Sequence, residues 1–357
     1  MKIVNVRVWQ ENLELTRPYT IAYETIDRVR NFFVEVRLEN GMMGIGAGSP
    51  ADFVTGELFD ESLQILQSDL EGLLKGRSIA HFYELLDRLT LHFDKRPAAL
   101  AAVDIALYDA LGQLLKVPIA HFLGKVHDGL PTSITIGIKS VEESLAEAKE
   151  YVERGFKIIK LKTGNEVEKD IEIFSKIRAL VGRAIKIRVD ANQGYDRAQL
   201  LQFVKAVESL DMEFMEQPMP ADHLEEMKTL PRSVKQLCCA DEDLHSPADA
   251  IKMAVSPQPY GIYNIKLMKC GGIFAASQIS KIAEHSNIQL MWGCMDESIV
   301  SITAALHAAF ASSATHYIDL DGSLDLARDI VQAGFILEDG YMRLAGGNGL
   351  GVERLLT

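Results

Sequence analysis

The chain has little of what would tie it to nucleic acid, a membrane or an oxidising compartment. It carries 37 lysines and arginines against 50 aspartates and glutamates, a formal net charge of −13, which argues against a nucleic-acid or anionic-membrane partner. No apolar run reaches the roughly 18 residues of a membrane span, and residues 1–8 alternate like a strand rather than form a signal core. The four cysteines, Cys238, Cys239, Cys270 and Cys294, lack metal-site or disulfide-framework spacing. We therefore expect a cytoplasmic protein with reduced thiols.

What the chain does have is a charged residue at the end of each of several short apolar runs. These residues are Lys162, Asp190, Glu216, Asp241, Lys266, Asp296 and Asp321. They are separated by 28, 26, 25, 25, 30 and 25 residues, and each interval holds one strand-like and one helix-like pattern. In a parallel barrel the carboxyl ends of the strands converge on one mouth. We therefore expect these charges to meet in space.

The order of elements predicts an α/β fold: a (β/α)7β TIM-like barrel with an α+β N-terminal capping domain completed by the C-terminal segment. Residues 1–125 are predicted as the cap, 126–325 as the barrel with the catalytic site, and 326–357 as a return to the cap. Within the cap, segments at about 16–30 and 48–56 are predicted as loops that determine substrate specificity. A helix over 97–116 is apolar nearly all round and should be buried between the domains.

Three successive predicted strands end in carboxylates: Asp190, Glu216 and Asp241. Three hard oxygen ligands without a nearby histidine or cysteine suit Mg²⁺, which usually keeps water or substrate oxygens in its shell. Taken singly, each carboxylate would more often form an ordinary surface salt bridge. Their near-equal spacing between lysines favours a metal site.

Lys162 and Lys266 belong to the second and sixth predicted barrel strands, which face each other across the mouth of an eight-stranded barrel. A substrate carboxylate on the metal would place its α-carbon between the two amines, and the metal would stabilise the enolate formed there. Two bases give inversion by a 1,1-proton transfer, whereas a single base would suit elimination or isomerisation. The alternative is that both lysines only neutralise the carboxylates.

Two further pairs share a strand face because residues two apart on a strand point the same way. Lys160 stands beside Lys162, and its like charge should lower the pKa of a neighbouring lysine base. Asp319 and Asp321 lie at the end of the last predicted barrel strand, where paired carboxylates can hold an ammonium group. The other interpretation of this pair is a capped strand end before Gly322.

These motifs resemble the enolase superfamily, and within it the muconate-lactonising enzyme subgroup. The resemblance rests on Lys160-x-Lys162, Asp190-x-Asn192, Glu216-Gln217-Pro218, Asp241-Glu242, and Lys266 followed by Gly271-Gly272, in this order over nearly the whole chain. The pair Asp319-x-Asp321 is similar to that of dipeptide epimerases (Ala-Glu epimerase-like), in which it binds the α-ammonium of the N-terminal residue.

The resemblance implies a role for each matching position. Asp190, Glu216 and Asp241 would bind one Mg²⁺ per subunit, and Lys162 and Lys266 would be the two bases. Lys160 would help to hold the substrate carboxylate. Thr135, Asp296 and Ser298 would line the peptide site together with the cap residues Glu24 and Phe53. The implied enzyme is an isomerase that epimerises the C-terminal residue of a small dipeptide.

One departure bears on the substrate. Ala-Glu epimerases are expected to carry a basic residue in the first cap loop, but Glu24 takes the matching place here and would repel an acidic side chain. Apolar neighbours such as Ile21, Phe53 and Val54 favour Ala-X dipeptides with hydrophobic X. A cationic second residue, paired with Glu24, is the main competitor.

Other functions remain open at this point. N-acylamino-acid racemase, o-succinylbenzoate synthase and muconate cycloisomerase belong to the same subgroup, but their substrates have no free α-ammonium for Asp319 and Asp321 to bind. A non-catalytic barrel would be expected to lack a base or a ligand, and none is missing. We expect a homo-oligomer with a small dipeptide as substrate, and neither nucleic acid nor a membrane as partner.

Overall fold

The computed structural model describes residues 1–20 and 25–355, and the side chains of these residues except at positions 17–20, 25, 26 and 53. The N-terminal part is an antiparallel sheet in the order β1-β2-β3, formed by Ile3–Thr20, Thr25–Leu38 and Met43–Gly48. The predicted turn between β2 and β3 is confirmed, and its Gly41 has φ of +86°.

The prediction of an irregular loop over about 16–30 is wrong for most of that segment. Strand β1 continues to Thr20 and β2 begins at Thr25. The two pair as far as Glu14 and pair again at their ends, with Thr20 opposite Thr25. Part of β1 here is held by a distant segment, since Leu15 forms a bridge with Leu326 and the N–H of Thr16 donates to the carbonyl oxygen of Asp325 at 2.7 Å. The prediction relied on the polarity and length of the segment, which do not show such a partner. The register shifts between Glu14 and Tyr19. Whether this segment determines specificity stays a prediction.

The helices of the N-terminal part are α1 (Asp52–Thr55), α2 (Phe59–Leu74), α3 (Phe82–His92), α4 (Pro97–Leu115) and α5 (Ile119–Leu123), with a 3-10 turn at Ile79–His81. The short α1 occupies part of the second segment predicted as a loop, 48–56. Buried Glu57 caps the N-terminus of α4. Its carboxylate accepts hydrogen bonds from the backbone N–H groups of Ala98 and Ala99 at 2.7 and 3.0 Å.

Helix α4 is the core of this part of the molecule. By length and composition it could cross a membrane, but 78% of its most apolar window is buried inside the protein, as expected for a core helix. It lies directly on strand β3, where a Cβ at Gly46 would come within 1.9 Å of the carbonyl oxygen of Ala102. On its other side, Asp104 accepts hydrogen bonds from the N–H groups of Ile273 and Phe274. The helix therefore joins the N-terminal sheet to the barrel, as predicted.

The barrel is an eight-stranded parallel sheet in sequence order. Its strands are β5 (Ser133–Ile136), β6 (Ile158–Lys162), β7 (Lys186–Asp190), β8 (Met212–Glu216), β9 (Cys238–Ala240), β10 (Ile262–Ile265), β11 (Gln289–Trp292) and β12 (Thr315–Ile318). The first and last strands meet through a bridge between Thr132 and Ile318, and Thr132 Oγ1 accepts from the N–H of Leu320 at 2.9 Å. The predicted barrel is confirmed.

Helices connect these strands at the predicted places. They are α6 (Val141–Glu153), α7 (Val167–Val181), α8 (Arg197–Val207), α9 (Leu224–Lys228), α10 (Arg232–Gln236), α11 (Pro247–Ala254), α12 (Leu267–Cys270), α13 (Ile273–His285) and α14 (Ile299–Phe310). Short 3-10 turns lie at Glu208–Leu210 and Ala221–His223. Ser140 and Asp196 begin α6 and α8 as capping boxes, which fixes where these strand-to-helix loops end.

Side chains fill the barrel beneath the mouth. Arg188 of β7 is almost fully buried and lies 5.2 Å from the ring centroids of both Phe214 and Tyr317. Its guanidinium donates to Glu213 at 2.7 Å and to the carbonyl oxygen of Ile318 at 2.7 Å. Side chains therefore fill the interior of the barrel. An active site can lie only above them, at the carboxyl ends of the strands.

The C-terminal segment forms strands β13 (Val331–Ala333), β14 (Phe335–Glu338), β15 (Tyr341–Leu344) and β16 (Val352–Arg354). Strand β15 also pairs with β4 (Leu130–Pro131) ahead of the barrel. The segment reaches the N-terminal part, where the N–H of Leu350 donates to Asp109 of α4 at 2.9 Å and Arg354 pairs with Glu35 at 2.6 Å. These contacts support a return to the cap, and the boundaries at 125 and 325 stay a proposal.

Candidate active site

The charged strand ends meet at one mouth. Lys162, Asp190 and Glu216 lie directly across from one another in the registers of β6, β7 and β8. Asp241 and Lys266 follow the ends of β9 and β10. Because β6 and β10 are four strands apart in a barrel of eight, their lysines approach from opposite sides. The structure therefore brings together the metal and base positions predicted from spacing.

Lysines link the three carboxylates. Lys162 Nζ lies 2.6 Å from Asp190 Oδ2, and Lys266 Nζ lies 2.7 Å from Asp241 Oδ2 and 3.9 Å from Glu216 Oε1. Between them, Lys160 Nζ is 3.9 Å from Asp190 Oδ2 and 3.7 Å from Glu216 Oε2. The result is one ionic network, with Lys162 at one end, Lys266 at the other and Lys160 between them.

Most of this network is buried, so desolvation and the neighbouring charges both act strongly on the pKa values of its members. Burial and the neighbouring charge of Asp190 raise the pKa of Glu216 to about 8. Burial acts to lower the pKa of Lys266, but Asp241 and Glu216 outweigh it and the pKa is raised. In this ion-paired arrangement Lys266 does not show the lowered pKa expected of a base, because its partners are carboxylates rather than cations.

The donor set fits a hard divalent cation. In the part of the chain that the structure describes, no three acidic, histidine or cysteine side chains form a ready-made metal cluster, since ammonium groups lie between the carboxylates. However, Glu216 Oε2 is buried and has no hydrogen-bond partner among the described residues. Its neighbouring ammonium, Lys160 Nζ at 3.7 Å, is too far away for a hydrogen bond, so this oxygen keeps a free acceptor position that a metal ion would fill. Asp190, Glu216 and Asp241 together offer the oxygen ligands that Mg²⁺ prefers.

Asp319 and Asp321 lie on the same side of the mouth but have different partners. Asp319 accepts a hydrogen bond from Ser133 Oγ at 2.6 Å and forms an ion pair with Lys160. Asp321 Oδ2 accepts from the N–H and the Oγ1 of Thr135 at 2.9 and 2.8 Å. Burial and the charge of Asp319 raise the pKa of Asp321 to about 7, which marks a place where negative charge is in excess.

The remaining predicted substrate residues differ in how the structure places them. Asp296 follows β11, and its carbonyl oxygen accepts from Ser49 Oγ of the second cap segment at 3.0 Å. Ser298 is fully buried and begins helix α14, where its Oγ donates to Asp329 at 2.9 Å. The structure therefore does not bring the Ser298 side chain into the site. Glu24 and the side chain of Phe53 lie outside the described residues.

Two residues of the network were missed at the sequence level. Asn264 Nδ2 donates to Glu216 Oε1 at 2.6 Å, and buried Lys269 forms an ion pair with Asp241. Asn264 precedes Lys266 by two positions on a strand, so the shared-face argument used for Lys160 would have found it. Lys269 stands within the apolar run Leu267–Cys270 of α12, and a lysine in such a run signals a buried partner.

A barrel whose rim carries three carboxylates between opposed lysines defines a class of enzymes that abstract and return a proton beside a carboxylate. Comparison with known families is consistent with this class. Residues 143–354 match the family described as enolase C-terminal domain-like, and residues 3–124 match the mandelate racemase / muconate lactonizing enzyme N-terminal domain. The chain belongs to the enolase superfamily, in its mandelate racemase and muconate-lactonizing branch.

Individual relatives are epimerases. The chain is 54% identical over 355 residues to an L-Lys-D/L-Arg epimerase of Desulforapulum autotrophicum, covering 99% of this chain and 100% of the relative. It is 35% identical to a hydrophobic dipeptide epimerase of Enterococcus faecalis, covering 99% and 100%. A solved dipeptide epimerase from Methylococcus capsulatus, complexed with Mg and the dipeptide L-Arg-D-Lys, superposes with a TM-score of 0.96 at 47% identity, covering 99% of each chain. The predicted isomerase class is confirmed at the level of these relatives.

Proposed function

We propose that the protein is a Mg²⁺-dependent dipeptide epimerase that inverts the α-carbon of the C-terminal residue by a two-lysine 1,1-proton transfer. The observation that carries this proposal is the placement of Lys162 and Lys266 on opposite sides of three buried carboxylates, with Asp321 on the same rim. The relatives support it, since they include epimerases of dipeptides, and one of their structures holds Mg.

Asp190, Glu216 and Asp241 would hold one Mg²⁺ per subunit. When bound, the metal supplies positive charge that stabilises an enolate at the substrate carboxylate. Asn264 holds Glu216 by a hydrogen bond, and Lys269 holds Asp241. Such partners keep metal ligands oriented.

Lys162 and Lys266 would act as the two bases. One removes the α-proton from one face of the substrate carbon, and the other delivers a proton to the opposite face. A lysine can remove a proton only in its neutral form. The carboxylates that now raise the pKa of Lys266 therefore oppose its action as a base unless a cation neutralises them. Lys162 also donates to Asn192 Oδ1 at 2.7 Å, which limits where its amine can point.

The dipeptide's α-ammonium would lie against Asp321, which Thr135 holds in place, and near Asp319. Lys160 would sit beside the substrate carboxylate, since it already contacts Asp190, Glu216 and Asp319. This arrangement favours a substrate with one free ammonium and one free carboxylate. N-acylamino-acid racemase, o-succinylbenzoate synthase and muconate cycloisomerase act on substrates without that ammonium, so they are the alternatives to exclude.

For the second residue of the substrate we propose a cationic side chain. The sequence favoured Ala-X with hydrophobic X and held a cationic residue as its competitor. The carboxylates of Asp296 and Glu297 follow β11. Burial raises the pKa of Glu297 to about 7, and burial with the charge of Asp319 raises that of Asp321 to about 7, with Asp296 as the smallest contributor to both. A cationic side chain would relieve that excess of negative charge. The 54% identical relative is named for lysine and arginine. Ala-X with hydrophobic X stays a prediction.

The substrate proposal is tested with a panel of dipeptides and Mg²⁺ in D₂O, followed by ¹H NMR. We expect the C-terminal α-proton signal to disappear and a diastereomer to form fastest with L-Arg-L-Lys and L-Ala-L-Lys. L-Ala-L-Val should react more slowly, and L-Ala-L-Glu slowest. Preference for L-Ala-L-Val would restore the hydrophobic prediction, and preference for L-Ala-L-Glu would contradict the argument from Glu24.

The cytoplasmic location, the homo-oligomeric state and the absence of nucleic-acid or membrane partners also stay predictions. The argument against nucleic-acid and membrane partners rests on the net charge of −13 and the lack of a long apolar run. Two of the relatives described above are dipeptide epimerases by name, which supports a dipeptide as the substrate.

A further inference from the structure

Gln217 directly follows Glu216, is fully buried, and connects the three carboxylate-bearing segments through its main chain. Its N–H donates to the carbonyl oxygen of Cys239 on β9 at 2.8 Å. Its own carbonyl oxygen accepts from the N–H of Gln193 at 2.8 Å, in the loop that follows Asp190. These two bonds tie the segment after Asp190 to the strand that leads to Asp241.

Both the oxygen and the nitrogen of the Gln217 side-chain amide form hydrogen bonds. Its Oε1 accepts hydrogen bonds from the N–H groups of Asp241 and Asp243 at 2.9 and 3.3 Å. Its Nε2 donates to the carbonyl oxygen of Met219, to Asp243 Oδ2 and to the hydroxyl of Tyr260 at 2.9, 3.0 and 3.1 Å. Because two N–H donors face Oε1, the amide can take only one orientation. Glu216 and the backbone of Asp241 are thus held at a fixed separation by one side chain.

The backbone around these carboxylates is also strained. Asn192 and Gln193 after Asp190 have φ of +41° and +68°, and Gln217 has φ of +29°. Residues other than glycine avoid this left-handed region, and they persist there only when surrounding bonds impose it. Gln217 both adopts the strained conformation and supplies the bonds that maintain it.

We propose that Gln217 is a positioning residue for the metal ligands, setting the distance between the carboxylates of Glu216 and Asp241. The inference rests on the proposed function, in which these carboxylates hold Mg²⁺. A merely structural glutamine would affect stability when replaced. A positioning residue must also change the affinity of the folded protein for the metal, because partners behind the ligands set their geometry.

The test is isothermal titration calorimetry of the full chain with Mg²⁺ alone, without substrate. Gln217→Met keeps the volume but removes all five side-chain hydrogen bonds, and we expect Mg²⁺ affinity to fall roughly 10- to 100-fold. The matched control is Tyr263→Phe on β10, which removes a buried hydrogen bond to the carbonyl oxygen of Ala250 in helix α11 and should leave affinity unchanged. A folded Gln217→Met variant with wild-type affinity would overturn the proposal.

A second pair of variants decides the question if Gln217→Met does not fold. Gln217→Glu still accepts from the N–H groups of Asp241 and Asp243 but sets a carboxylate against that of Asp243. Adding Asp243→Asn restores a donor facing position 217. We expect weak Mg²⁺ binding in the single variant and recovery to within about 3-fold of wild type in the double variant. Equal affinity in both variants would count against the proposal, whereas failure of the wild-type chain to bind Mg²⁺ would overturn the proposed metal site itself.

Discussion

At the scale of single residues, Asp321 is where the proposed dipeptide epimerase activity can be told apart from the alternative reactions of the subgroup. Its Oδ2 is held by two bonds from Thr135, and burial beside Asp319 gives it a raised pKa of about 7. A cation bound there would favour its ionised form. Asp319 has less freedom to bind a substrate ammonium, because Ser133 and Lys160 already engage both of its oxygens.

We therefore predict that Asp321→Asn lowers kcat/KM for dipeptides roughly 10- to 100-fold, the cost of losing a hydrogen bond to a charged group. The comparison uses steady-state kinetics on L-Arg-L-Lys, with the exposed Asp128→Asn as a control that should leave the rate unchanged. Unchanged dipeptide turnover in Asp321→Asn would instead favour a substrate without a free ammonium, such as an N-acylamino acid.

At the scale of elements, helix α14 is joined to two other segments by one buried histidine. His307 Nδ1 accepts from the N–H of Ala120 at the start of α5 at 3.0 Å, and Nε2 lies 3.2 Å from the carbonyl oxygen of Leu350. The first bond makes Nδ1 an acceptor, so the proton of the neutral ring is on Nε2. Burial lowers the pKa of His307 to about 4.

The sign of its pH effect follows from that lowered pKa. The unfolded chain takes up the histidine proton as pH falls through about 6.5, but the folded chain does so only near 4. His307 therefore costs stability as pH falls across this interval, by about 2 kcal/mol between about pH 7.5 and pH 5. Buried acids such as Asp109, whose pKa is raised to about 6 by burial, act in the opposite direction. The total pH profile thus mixes both effects.

A difference measurement isolates the histidine. His307→Gln can accept at the oxygen and donate at the nitrogen but cannot titrate. We measure the free energy of unfolding of both proteins by urea denaturation at about pH 7.5 and pH 5. Between these two values, we predict that the His307→Gln variant loses about 2 kcal/mol less stability than wild type. Parallel profiles for the two proteins would show that His307 does not stay neutral in the fold.

At the scale of the whole molecule, the sequence predicted the architecture because a barrel repeats one physical unit. Each unit ends in a charged residue at the same rim, so Lys162, Asp190 and Glu216 could be placed together by counting residues. The strand pairing beyond Leu13 could not be predicted, because Leu15 forms a bridge with Leu326, a partner far away in the chain. Ser298 was assigned to the site from its position in the chain, but its side chain forms the cap of α14 instead.

Pairings across the barrel were also beyond the sequence. Lys160 meets Asp319 across the seam where the first and last strands close, 159 residues apart in the chain. Gln217 was visible only as part of a motif, since its role depends on which backbone groups β8 and β9 bring beside it. Such contacts depend on closure of the sheet and on side-chain rotamers, which periodicity does not specify.

The central claim is that two lysines act on opposite faces of one carbon. It is tested most directly by ¹H NMR in D₂O with Mg²⁺, starting separately from L-Arg-L-Lys and L-Arg-D-Lys. Wild type should exchange the C-terminal α-proton of both and interconvert them. Lys162→Ala and Lys266→Ala should each lose interconversion by roughly 10²-fold or more, while each still exchanges the α-proton of one diastereomer, a different one for each variant.

Exposed Lys281→Ala is the control and should behave as wild type. Opposite diastereomer selectivity in the two single-lysine variants would establish the two-base mechanism. Continued interconversion in either variant, or exchange of the same diastereomer by both, would contradict it.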